Sequence, residues 1–234
     1  MMRILTIAGA LAGMGVQAAP LVAQSSWEGV IEFKGFRKDS STMIQTTKGN
    51  LVRIDMMEPG KHGDRRGSVI FDAKTRTMTM IMYEQKMYMT TPMKSMDSMA
   101  ANMREEHGPK DISFKDTGRS EVVAGTKCEI YHGTSTMADG KVKEGEACMA
   151  KGVGFNMMDF GMGGRGQSSD PTTKMFQKMA EKDLHMLKAW ELKDGKMEVM
   201  LEATKIEARS VSDAEMKPPA DFKKFDMQNM PGRP

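Results

Sequence analysis

Residues 68–103, SVIFDAKTRTMTMIMYEQKMYMTTPMKSMDSMAANM, decide how the rest of the chain is read. Short apolar-rich runs over 68–72, 77–83 and 86–91 predict three strands joined by turns over 73–76 and 84–85. Antiparallel pairing sets Phe71 opposite Met78, Val69 opposite Met80, Met82 opposite Met87, and Met80 opposite Met89. Because strand side chains alternate, Val69, Phe71, Met78, Met80, Met82, Met87 and Met89 then share one face. Thr77, Thr79, Ile81, Tyr83, Lys86, Tyr88 and Thr90 take the other. Beyond Pro92, methionines at 93, 96, 99 and 103 recur near helical spacing, which predicts a short amphipathic helix ended by Gly108-Pro109. Met96, Met99 and Met103 would face the strand ladder from that helix.

The same alternation recurs on either side. Ser26–Phe36 places Trp27, Gly29, Ile31 and Phe33 on one face of an opening strand. Thr42–Thr47 and Leu51–Met57 form the next pair through Lys48-Gly49-Asn50. Strand character returns in Asp111–Ala124, Lys127–Tyr131 and Glu146–Lys151. Asp170-Pro171 is a helix start, a capping side chain followed by proline at the first helical position. Phe176, Met179, Ala180, Leu184 and Leu187 would mark its apolar face. Ala189–Lys193 and Lys196–Ser210 read as a hairpin through Asp194-Gly195, with Leu192 across from Met197 and Trp190 across from Val199. The expected fold class is therefore α+β: a single curved, largely antiparallel β-sheet, an incomplete β-barrel, with two helices on its concave side.

The N-terminus carries a short basic stretch (Met1-Met2-Arg3), an apolar run from Ile4 to about Val16, and then small residues. That is the pattern of a secretory signal, too short to span a bilayer as a mature helix. Cleavage fits after Ala18 or Ala23; with the first strand beginning almost at once, residues 1–23 are taken as the signal peptide. Residues 24–216 form the domain and 217–234 a polar, proline-marked tail, partly disordered. The mature chain is expected to be soluble and exported, periplasmic or secreted, with no transmembrane segment. The formal net charge is +3 with interspersed signs, and the densest basic cluster, Lys61–Arg66, sits in a Gly-rich loop. Such a distribution argues against nucleic acid as a partner.

Two cysteines in an exported chain read as one disulfide, Cys128–Cys148. An Asp139-Gly140 turn of two residues would pair position 128 with 151 rather than 148. Either the loop is wider, centred near Ala138, or a bulge shifts the register.

There are 28 methionines against eight leucines. They can fill the role of leucine, line an apolar cavity that re-packs around varied ligands, or bind Cu(I) through thioethers. Met93-x-x-Met96-x-x-Met99 has the spacing of copper-transport motifs. Gly161-x-Gly163-x-x-Gly166 matches a dinucleotide fingerprint but lacks the strand before and helix after that give it meaning. The four histidines show no zinc spacing, and no Gly-x-Ser-x-Gly turn is present. No cofactor and no catalytic residue is expected.

Gly49-Asn50-Leu51-Val52-Arg53-Ile54-Asp55, Ile70-Phe71-Asp72 and the Met/Tyr strand ending at Tyr88 form an ordered pattern. So do residues 125–131 around Cys128, residues 147–154 around Cys148, Ala203–Val211 and Pro219–Lys224. This series resembles the exported bacterial proteins that carry a "domain of unknown function 4412". They are similar to the periplasmic lipoprotein-carrier (LolA/LolB-like) superfamily. The resemblance implies an incomplete antiparallel barrel with helices as a lid over an apolar cavity. The expected function is non-enzymatic binding of a lipid, acyl chain or similar apolar ligand on the seven-residue strand face with Met96, Met99 and Met103. The alternative is a Cu(I)-binding or oxidation-buffering methionine-rich envelope protein.

Overall fold

The computed structural model describes residues 27–36, 41–58, 64–93, 109–154 and 171–225, without the side chains of Thr172 and Phe176. These residues form a 12-stranded sheet and one helix. The strands are β1 (Gly29–Gly35), β2 (Thr42–Lys48), β3 (Leu51–Met57), β4 (Arg65–Asp72), β5 (Thr77–Met82), β6 (Met87–Pro92), β7 (Pro109–Val123), β8 (Thr126–Met137), β9 (Val142–Lys151), β10 (Leu184–Lys193), β11 (Lys196–Ala208) and β12 (Lys223–Lys224). The helix, α1, spans Pro171–Glu181.

In space the order is β12-β6-β5-β4-β3-β2-β1-β11-β10-β9-β8-β7. Two meanders, β1 to β6 and β7 to β11, thus lie side by side in one sheet and meet at a seam between β1 and β11. All neighbours are antiparallel except β12, which lies parallel to β6. The turns explain why hairpins dominate. Ala124-Gly125 and Asp194-Gly195 are two-residue loops with both residues at positive φ, whose twist matches that of the flanking strands. At the β4–β5 turn the Asp72 carboxylate accepts hydrogen bonds from the amides of Lys74 (2.8 Å) and Thr75 (3.0 Å), fixing the chain reversal.

The main core forms where the meanders meet. Ile31 and Phe33 of β1, Ala203 of β11, Leu187 of β10, Cys148 and Ala150 of β9, Cys128 and Ile130 of β8, and Val123 of β7 form one buried cluster. The sheet curls around it. Lys188 of β10 reaches Glu121 of β7 at 2.8 Å although two strands stand between them in the sheet order, and it also pairs with Glu202 of β11 at 3.1 Å. Burial alone would push the Lys188 ammonium down, but its hydrogen bonds to the two glutamates outweigh that and hold it raised.

The disulfide joins Cys128 to Cys148 inside this core. Cys148 stands directly opposite Ile130, so the bond runs diagonally across β8 and β9. The hairpin loop is wider than two residues, as one alternative had it, but it is centred on Asp139 rather than Ala138. Thr136 pairs with Val142, and Met137 bonds Lys141, leaving Ala138, Asp139 and Gly140 to turn the chain.

The α+β expectation is corrected: the fold is mostly β, an open antiparallel sheet, with one short helix among the described residues. The helix begins at Pro171 as its sequence implied but stops at Glu181. Asp183 takes φ +52, a left-handed geometry that ends the helix, and the chain turns straight into β10. Leu184 and Leu187, assigned by spacing to the helix face, are strand residues. Nor does α1 lie over the disulfide cluster. Met179 packs with Leu184, Tyr131, Met149 and Phe114. Met149 neighbours Cys148 along β9 and therefore points to the opposite face. Residues 94–108, where the other helix is expected, lie outside the described residues, as do the expected signal segment, Gly161–Gly166 and the Phe176 side chain.

Candidate binding face

Register across β2–β6 arranges the front of this half-sheet in three rows. Thr47, Val52, Phe71 and Met78 form the first. Gln45, Ile54, Val69, Met80 and Met89 form the second. Met43, Met56, Gly67, Met82 and Met87 form the third. The four cross-strand pairs expected from alternation are all present, and the seven predicted strand residues do share one face.

Their burial is graded. Thr47, Val52 and Met78 in the first row are closed off, and Met93 joins Val52 and Met78 in a filled cluster with Ile54, Val69 and Phe71 against it. Ile54, Val69, Met82, Met87 and Met89 are half-buried. Met80 and Met56 are exposed, at 39% and 46%. Gly67 lets the third row approach closely: a Cβ there would stand 3.4 Å from the Met56 methyl. The face thus runs from a packed floor to an open apolar margin. Met78 belongs to the floor, and Met96, Met99 and Met103 fall outside the described residues. Met93, the first residue of the copper-type spacing, is buried in the floor rather than displayed at a surface.

The back of the same strands holds a buried polar group with no apolar period to announce it. Arg53 (6% exposed) donates from Nε to Asp55 Oδ1 at 2.8 Å, and Asp55 is 2% exposed. Ser68 donates to the same carboxylate, and Arg65 reaches its other oxygen at 3.2 Å. From Nη2, Arg53 donates to Tyr83 Oη at 2.5 Å. From Nη1 it donates to the carbonyl oxygens of Glu215 (2.9 Å) and Lys217 (3.2 Å). A bound backbone strap explains the last two. After β11 the chain crosses the back of the sheet, burying Val211 and Met216, and comes to lie beside β6 as β12. The Val211 amide donates to Glu28, Lys48 pairs with Asp213 at 2.6 Å, and Tyr83 meets Phe222 edge-on at 5.4 Å.

Within the strap, Arg209 bonds Glu215 at 2.6 Å, and the Ser212 amide and hydroxyl also donate to it. These contacts hold the Glu215 carboxyl down at about 2. Periodicity misses all of this. A signal was available in Arg53-x-Asp55, two opposite charges on one face of a strand otherwise rich in apolar residues.

A family model for the domain of unknown function 4412 matches residues 27–222. The chain belongs to that family. Among solved structures it is similar to an uncharacterised conserved protein from Thermus thermophilus, at 10% identity and a TM-score of 0.47, with 86% of this chain and 90% of that one covered. The comparison with curated proteins gives no match. Among the described residues no helix is long and apolar enough to cross a membrane.

Proposed function

We propose that this family member is an exported, non-enzymatic carrier that holds a lipid or acyl chain against the front of β3–β6, in the manner of the lipoprotein-carrier superfamily it resembles. One observation carries the reading: Val69, Met82, Met87 and Met89 are co-facial yet only half-buried, and they border exposed Met80 and Met56. Apolar surface gathered this way favours an apolar occupant, at roughly 25 cal/mol per Å² removed from water. Methionine suits the task, since its flexible thioether re-packs around varied shapes. The buried disulfide supports an oxidising compartment.

The test is retention of a probe. Full-length protein purified from an oxidising compartment should bind N-phenyl-1-naphthylamine with increased fluorescence. Met82→Asp places a charge among half-buried methionines and should abolish that signal while leaving secretion and the disulfide intact. A wild-type protein that leaves the probe dark, or a Met82→Asp variant that binds it unchanged, refutes the proposal.

A further inference from the structure

The two ends of the sheet are finished differently. At one end β12 and the strap lie along β6. At the other, β7 pairs with β8 alone among the described residues, which leaves its outer amides and carbonyls as an open edge. Met179 of α1 packs on Phe114 from the face of the sheet, not along that edge. The ladder with β8 is regular from Asp111 to Asp116 and shifts register on either side, between Pro109 and Asp111 and between Asp116 and Arg119. The usable edge is therefore short: Lys110-Asp111-Ile112-Ser113-Phe114-Lys115-Asp116. Its charged residues are exposed, and Lys110, Asp111 and Lys115 form no ion pair among the described residues. Asp116 spends one oxygen on the Gly118 amide at 2.8 Å, which shapes the bulge that closes the segment.

We propose that this edge pairs with the same edge of a second copy of the chain, antiparallel about a two-fold axis at Ser113. Such an isologous pair has to be centred on one residue, because opposed residues must point to the same face. Centred on Ile112, it would set Lys110 against Phe114; centred on Phe114, it would set Asp116 against Ile112. Centred on Ser113, Lys115 of each copy stands opposite Asp111 of the other, Lys110 opposite Asp116, and Ile112 opposite Phe114. Every charge of the segment then meets its opposite across a strand spacing of about 4.8 Å, within ion-pair reach. The apolar pair continues the cluster of Phe114, Tyr131 and Met179 across the axis. Pro109, which has no N–H to donate, falls opposite Thr117 in the bulge, so the pairing stops at both limits together. Charges on an edge strand commonly guard against association, but a guard works by setting like charges against each other when two copies meet. This segment does the reverse, since rotation turns its Lys-Asp and Lys-Asp ends into their own complement. The proposal does not depend on the carrier reading, because β7 and the face of β3–β6 lie at opposite ends of the strand order.

The experiment follows the full-length protein by sedimentation velocity over a concentration series. The wild type should pass from monomer to dimer, with a midpoint that moves to higher concentration as salt is added. Asp111→Lys alone, or Lys115→Asp alone, turns two attractive pairs into two repulsive ones and should raise the dissociation constant about tenfold. The two changes combined in one chain restore the complement and should bring the dimer back. An equimolar mixture of the two single variants should do the same, since every reversed residue then meets one of opposite sign. Amide exchange within 111–115 of the wild type should slow as its concentration rises, which decides the matter even if a reversal impairs folding. Three results would overturn the proposal: a wild type that stays monomeric up to its solubility limit, a dimer indifferent to the single reversals, or a mixture of the single variants that stays monomeric.

Discussion

Replacing Arg53 with alanine should be among the most damaging single changes available on the back of the sheet. The guanidinium is 6% exposed and serves Asp55, Tyr83 and the carbonyls of Glu215 and Lys217 at once. Removing one partner of a buried ion pair costs about 3–5 kcal/mol, because the remaining charge stays desolvated. Asp55 would keep Ser68 and the 3.2 Å contact to Arg65, which places the loss at the lower end, about 3 kcal/mol. With a urea m-value of roughly 2 kcal/mol per molar, the unfolding midpoint should fall by about 1.5 M. Arg53→Lys keeps a charge near Asp55 but loses the planar fork that spans both strap carbonyls, so its loss should be intermediate. Limited proteolysis gives a second readout, since both variants should be cut sooner within 217–221. An Arg53→Ala midpoint close to that of the wild type, or an Arg53→Lys variant indistinguishable from it, would refute the argument that this side chain pins the strap.

Two further outcomes follow from the same contacts. Converting both Cys128 and Cys148 to alanine removes a crosslink between residues 20 apart in sequence and should lower stability by about 3 kcal/mol, read as the difference in urea midpoints with and without the bond. Glu215 has a depressed folded pKa of about 2 against an ordinary 4.5, so its stabilising contribution is fully present above pH 4.5 and is lost as pH falls toward 2. Glu215→Gln should therefore loosen the strap at neutral pH, measured by proteolysis at 217–221, and the wild type should converge on the variant as the medium is acidified.

Much of the sheet was legible because its turns and its alternation agree. Gly49-Asn50, Ala124-Gly125 and Asp194-Gly195 fix register, and the period of two then dictates that Val69 meets Met80 and Leu192 meets Met197. The helix face was misread because Leu184 and Leu187 satisfy both a helical spacing from Ala180 and a place in β10. Tertiary pairing with β9 decided between them. The diagonal disulfide was half-legible: the wrong two-residue loop was visible, but the three-residue alternative needed the hydrogen bond from Met137 to Lys141. The strap was invisible for a physical reason. It is polar, carries prolines and has little regular structure, and its place is set by carbonyls that any sequence possesses. Only Arg53, a charge buried in a strand, pointed to it. As for the binding face, its members could be read from alternation, but the slope from buried Met78 to exposed Met80 depends on how neighbouring rows are covered.

The seam between β1 and β11 also imposes an order in time. Within each meander, strands pair with near neighbours along the chain and can zip as they emerge. The seam instead joins residues as distant as Gly29 and Ala208, and it contains Ile31, Phe33 and Ala203 of the main core. Contacts of such separation carry the largest loop-closure cost and slow folding most. The first meander must therefore wait, with the edge of β1 unpaired, until nearly the whole chain is available. The strap, which leads directly out of β11, can lock only after that edge is filled.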